Sequence, residues 1–116
     1  MIEIITESIS QEKLKSFLGQ PFDEMVKFVV DVEKEIIALG GEMHADAEEI
    51  LLEQGSEQKK LWGANVYPDK QGDDRLEYVS LINIRPSQGN RAMEIQDETL
   101  QQRMRAIALR LLFGEL

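Results

Sequence analysis

The sequence predicts an α+β fold, a mainly antiparallel sheet of about five strands with three helices in the order β-α-β-β-α-β-β-α. Three observations predict it. β-Branched and aromatic segments with a period of two recur from Ile2 to Arg85, as strands require. Stretches with helical spacing lie between them, each following a capping residue, Ser10, Asp46 or Asp97. Two pairs of strand-like segments follow one another with no helix between them, which favours hairpins over parallel crossovers.

Ile2–Thr6 is short, β-branched and partly alternating, and reads as the first strand. Ser10 then caps a helix in which Leu14, Phe17 and Leu18 form the apolar stripe, Ile9 and Leu14 occupy staple positions, and Gly19 ends the helix. Residues 22–43 are ambiguous. Met25, Val29, Val32, Ile36 and Leu39 fit one helical face, yet Phe28, Val30 and Val32 alternate with Val29, Asp31 and Glu33. The density of stiff β-branched residues favours a hairpin, Lys27–Glu33 returning as Ile36–His44 through a polar turn at Lys34. Periodicity alone leaves both readings open.

Asp46 and Glu49 form a capping box ahead of Ile50 and Leu51, and Gly55 closes that helix. Leu61–Tyr67 alternates as a strand and Pro68 stops it. Arg75–Arg85 carries the cleanest alternation in the chain, Leu76, Tyr78, Ser80, Ile82 and Ile84 on one face, and predicts a long strand ended by Pro86. Pro86–Asn90 is a turn-rich loop. The last helix starts at Asp97 and runs to Phe113, with Leu100, Met104, Ile107, Ala108 and Leu111 as its core stripe.

A chain of 116 residues with 42% hydrophobic content predicts one folded domain spanning 1–116. It has no cysteine, which excludes disulfides, thiolate metal sites and a cysteine nucleophile. Acid stands near the N-terminus where a secretion signal needs base, and the longest apolar runs, Ile36–Leu39 and Ala106–Leu109, span four residues. A cytoplasmic protein without membrane spans is the expectation. Twenty-two acids against 13 bases give a net charge of −9, which opposes non-specific nucleic-acid or anionic-membrane binding.

Val29-Val30-Asp31-Val32-Glu33-Lys34, Gly40-Gly41-Glu42-Met43-His44-Ala45-Asp46, Leu61-Trp62-Gly63 and Ile82-Asn83-Ile84-Arg85-Pro86, continued by Gly89-Asn90-Arg91, resemble a small bacterial family of unknown function. The resemblance covers nearly the whole chain. It brings no activity with it and supports the hairpin at Val29–Leu39.

Two constellations can carry chemistry. His44, the single histidine, stands two residues from Asp46; on a strand that spacing puts both side chains on one face, as an acid/base pair or half a metal site. Asp31, Glu33 or Glu42 would have to complete a metal site, and a helix cap at Asp46 with a packed His44 explains the same residues. Arg85, Asn90 and Arg91 flank a glycine-containing turn, where two guanidinium groups beside backbone N–H groups can hold a phosphate or carboxylate. Pairing of both arginines with the abundant acids is the competing explanation. No phosphate-binding glycine motif and no nucleophile elbow occurs. Trp62 and Tyr67 fall on opposite faces of one strand, and Met25, Met43, Met93 and Met104 fall at mostly apolar positions, as core filler.

The sequence therefore points to a non-enzymatic binding or regulatory module that recognises an anionic ligand or a protein partner through the Arg85–Arg91 loop, with Arg85, Asn90 and Arg91 as its binding residues. No cofactor and no metal is expected, and a homodimer is. The alternative is a small enzyme acting on an anionic substrate with His44 as acid or base.

Overall fold

The computed structural model describes residues 1–115. In chain order the elements are β1 (Ile2–Ile5), α1 (Gln11–Lys15), β2 (Val26–Asp31), β3 (Ile36–Gly40), α2 (His44–Glu53), β4 (Leu61–Val66), β5 (Leu76–Glu77) and α3 (Glu98–Phe113). Short 3-10 turns at Gln58–Lys60, Gly72–Arg75, Leu81–Asn83 and Pro86–Gln88 join them. The fold is α+β, and its sheet is antiparallel throughout, ordered β1-β3-β2-β4-β5.

β2 lies at the centre, with Val30 opposite Ile37 of β3 on one side and Trp62 of β4 on the other. Helices cover both faces. Phe28, Val30, Ile37, Leu39, Ala64 and Val66 join α1 and α3 in the larger core, while Val29, Ala38 and Leu61 join Ala47 and Leu51 of α2 in a smaller one. A strand buried on both faces reads as an apolar run and not as clean alternation. That is the physical source of the ambiguity over residues 22–43, and the hairpin reading holds: Val32–Glu35 make the turn, and Asp31 Oδ1 accepts from Glu33 N and Lys34 N at 2.9 Å each.

Both ends of α3 and the start of α1 follow their sequence signals. Ser10 accepts from Lys13 N, Asp97 from Thr99 N and Leu100 N, and Gly114 closes α3 with φ 64°. The first turn of α2 does not. The helix begins at His44, two residues before Asp46, its cap residue is Met43, and no side chain caps it. The strand expected to reach His44 stops at Gly40, whose φ of 107° suits glycine and where a Cβ would run into the Met1 carbonyl.

The strand expected over Arg75–Arg85 is corrected to two residues, Leu76 and Glu77, paired with Val66 and Asn65. Beyond them the chain leaves the sheet and pairs with residues that follow it: Ile95 N donates to the Tyr78 carbonyl and Ser80 N to that of Met93. The vacated edge of β4 is closed by a side chain. Asn83 Oδ1 accepts from Gly63 N at 2.9 Å and its Nδ2 donates to Gly63 O at 3.0 Å, supplying both bonds a strand neighbour would have made. Alternation is lost here: Leu81 and Asn83, two apart, are exposed and fully buried respectively, and Ile84 is exposed.

Candidate functional site

The loop from Arg85 to Arg91 is tightly built. Arg85 Nε donates to Ile82 O, Nη1 to Gln58 O at 2.7 Å, and Nη2 to Glu48 of α2 at 3.0 Å, while the guanidinium lies 4.6 Å from the centre of the Trp62 ring. Both members of the Arg85–Glu48 pair are about nine-tenths buried. Burial pushes the Glu48 carboxyl up and the Arg85 guanidinium down, against the attraction each exerts on the other. Asn90 is equally committed: its Nδ2 donates to the carbonyls of Asn83, Ala92 and Glu94, and its Oδ1 accepts from Gln96 N. Arg91 is exposed, and its backbone N–H donates to Gln96. The three residues are thus adjacent, but the polar groups of Arg85 and Asn90 face into the protein.

His44 and Asp46 are not brought together as a pair. In the first turn of a helix, residues two apart do not share a face, and His44 is buried where Asp46 is exposed. Asp31 holds its own turn and accepts from Ser56 Oγ at 2.7 Å. Among the described residues no group of three His, Cys, Asp or Glu side chains is arranged to hold a metal ion.

What His44 does face is a cleft of about 340 Å³ on the α2 side of the sheet, at the lower end of the roughly 300–1,000 Å³ typical of small-molecule sites. Lys27 of β2, Asn65 of β4 and the first residues of α2 supply its polar wall; Met25, Met43, Val79, Leu81, Ile82 and Met93 supply the apolar one. Three of the four methionines expected as core filler therefore line this cleft, and only Met104 is fully buried in the core. Met43, Leu81 and Met93 are also among the exposed large apolar residues, so the mouth of the cleft carries an apolar rim.

The floor exists because β4 carries glycine at position 63. A Cβ there would meet Ser80 Cβ at 2.7 Å and the His44 ring at 3.1 Å, so the missing side chain lets both approach the strand. His44 Nε2 donates to the Ala64 carbonyl at 2.8 Å, since a carbonyl can only accept. In the neutral ring this leaves the lone pair on Nδ1. Burial holds the His44 pKa below its ordinary value; the Ala64 bond and the Asn65 amide oppose that shift, and the Lys27 charge reinforces it.

Asn65 was not singled out by its sequence context, because an isolated Asn in a strand has no signature. Trp62 is a core anchor on the opposite face of the sheet, and Tyr67 donates to Glu77 and lines a separate acidic hollow.

Fold and cleft together define an antiparallel α+β domain with helices on both faces and a half-apolar cleft at a helix start. Residues 3–111 match the family described as a protein of unknown function, DUF5674. The chain belongs to that family. No curated protein matches it, and no solved structure does. No helix among the described residues is long and apolar enough to cross a membrane.

Proposed function

We propose that this protein is a binding module whose ligand is a small, largely apolar molecule with one polar end, held in the cleft beside His44. The observation that carries this reading is the cleft itself, about 340 Å³, with His44, Lys27 and Ser80 converging on it and Met43, Leu81 and Met93 exposed at its rim. A mostly apolar cleft with a few convergent polar groups is the usual form of a small-molecule site. The cleft replaces the Arg85–Arg91 loop as the favoured site because Arg85 and Asn90 already have internal partners for their polar groups.

Titrating an amphipathic fragment set under amide-detected NMR tests the reading. Perturbations are expected to gather on His44, Ala45, Asn65, Val79 and Ser80, and to vanish in Ala45→Phe, which obstructs the cleft from an exposed position. Perturbations centred on Arg91 and Gly89 would return the site to the loop.

One observation favours a second reading, a small enzyme with His44 as the base. Its proton is fixed on the Ala64 side, and the Nδ1 lone pair is available at neutral pH. Chemical turnover of a bound fragment that is lost in His44→Gln would establish it. The proposed homodimer has a candidate edge in β1, which pairs within the sheet on its β3 side.

A further inference from the structure

The chain has five methionines and no cysteine, so its oxidisable sulfur is all thioether. The fold sorts these methionines by access to water. Met104 is fully buried in the larger core, and Met25 is half-buried in the wall of the cleft. Met43 and Met93 stand at the mouth of the cleft, 55% and 42% exposed. Met1, 61% exposed, lines a separate hollow with Gly41 and Glu42. A peroxide in the surrounding water therefore meets the rim of the cleft well before it meets the core.

Oxidation at the rim can change the cleft without unfolding the domain. Met43 is the cap residue of α2, and Met93 lies in the loop leading to α3, where its carbonyl accepts from Ser80 N. Neither side chain belongs to the larger or the smaller core cluster. A sulfoxide puts a strong acceptor where an apolar thioether stood. The neighbouring Val79, Leu81 and Ile82 have no side-chain donor to offer it, and the ammonium of Lys27, the cation of the wall, lies over the Phe22 ring at 5.1 Å. Water satisfies the sulfoxides while the cleft is empty, and an apolar ligand seated against them strips that water away. The penalty therefore falls on the occupied cleft.

We propose that Met43 and Met93 are modification sites for a peroxide, and that their oxidation lowers the affinity of the cleft for its apolar ligand. The second half rests on the binding-module reading. In each step the Sδ lone pair takes one oxygen of hydrogen peroxide, the O–O bond breaks and water leaves; the sulfur is oxidised and the peroxide reduced. A dithiol-dependent sulfoxide reductase reverses it, since the thioether is restored, the dithiol becomes a disulfide and the oxygen leaves as water.

Peptide mapping by mass spectrometry after timed exposure to hydrogen peroxide tests the first half. Met1, Met43 and Met93 should each gain one oxygen several-fold faster than Met25, and Met104 should react last. Oxidation of Met104 at the same rate as Met43 and Met93 would overturn the selectivity and the proposal with it. Amide perturbations by cyclohexylmethanol at His44, Ala45 and Ser80 then give the affinity of one protein before and after peroxide. In the wild-type protein that affinity should fall about tenfold, the cost of stripping water from a polar group with no new partner. It should recover on treatment with a methionine sulfoxide reductase and dithiothreitol. In Met43→Leu/Met93→Leu the ratio of the two affinities should stay near one, whatever the starting affinity, although Met1 still oxidises. An unchanged affinity in wild type with Met43 and Met93 fully oxidised, or an equal loss in the double variant, sinks the proposal and leaves the cleft reading standing. If neither cyclohexylmethanol nor the wider fragment set perturbs His44, Ala45 or Ser80 before peroxide is added, both fail.

Discussion

Arg85 shows how one residue can look like a ligand clamp in the sequence and serve as an internal tie in the fold. Its guanidinium joins α2, the Gln58 carbonyl, the Ile82 carbonyl and the Trp62 ring, and its side chain is 10% exposed. Desolvation outweighs attraction for both partners, as their opposed pKa shifts indicate, and for such pairs the damage comes from removing one member. Arg85→Met should therefore cost about 3 kcal/mol by leaving Glu48 buried and unpaired, and Arg85→Met with Glu48→Leu should cost less than that single change. Urea unfolding of the cycle measures both. A cost below about 1 kcal/mol for Arg85→Met would class the pair with surface ion pairs and reopen Arg85 to a ligand. His44 was legible as a special residue because it is the single histidine; Asn65 was not, since its burial and its bond to Glu77 come from the next strand.

At the scale of elements, the hairpin, the start of α1 and the whole of α3 were legible because local chemistry and tertiary packing agree on them, whereas α1 ends at Lys15 and not at Gly19. The β-branched run suits β2, and the caps at Ser10, Asp97 and Gly114 are occupied as their residue types require. The segment after β5 was misread because alternation cannot tell which strand an extended segment pairs with. Residues Tyr78–Ser80 pair with Met93–Ile95, and Asn83 stands in for the absent strand. This substitution carries its own test. Asn83→Ala orphans Gly63 N–H and C=O and should destabilise by about 2–4 kcal/mol. The Gly63 amide should exchange with solvent much faster, while the Phe28 and Val30 amides of the central strand speed up only by the loss in global stability. An unchanged Gly63 exchange rate would mean that backbone alone closes this edge of β4.

For the molecule as a whole, charge and burial act in opposite directions as pH falls. At neutral pH the net charge of −9 favours expansion by self-repulsion, and titrating carboxylates relieves it. His44 works against that relief. Its folded pKa lies below the ordinary value of 6.5, so between those two pH values the unfolded chain binds a proton that the folded chain refuses. Stability contributed by neutral His44 is fully present above the unfolded value, falls as pH drops through the window, and levels off below the folded value. Glu48, whose pKa is raised, has the opposite sign, because the folded state binds its proton more tightly and gains stability as pH falls. The total pH profile therefore mixes terms and identifies neither. The difference between wild type and His44→Gln isolates one of them, since glutamine can still donate to the Ala64 carbonyl without titrating. Urea midpoints compared from about pH 7.5 to about pH 5.5 should show wild type losing ground to the variant as pH falls. A constant difference across that range would mean His44 titrates normally, with its ring more open to water than its place on the floor of the cleft requires.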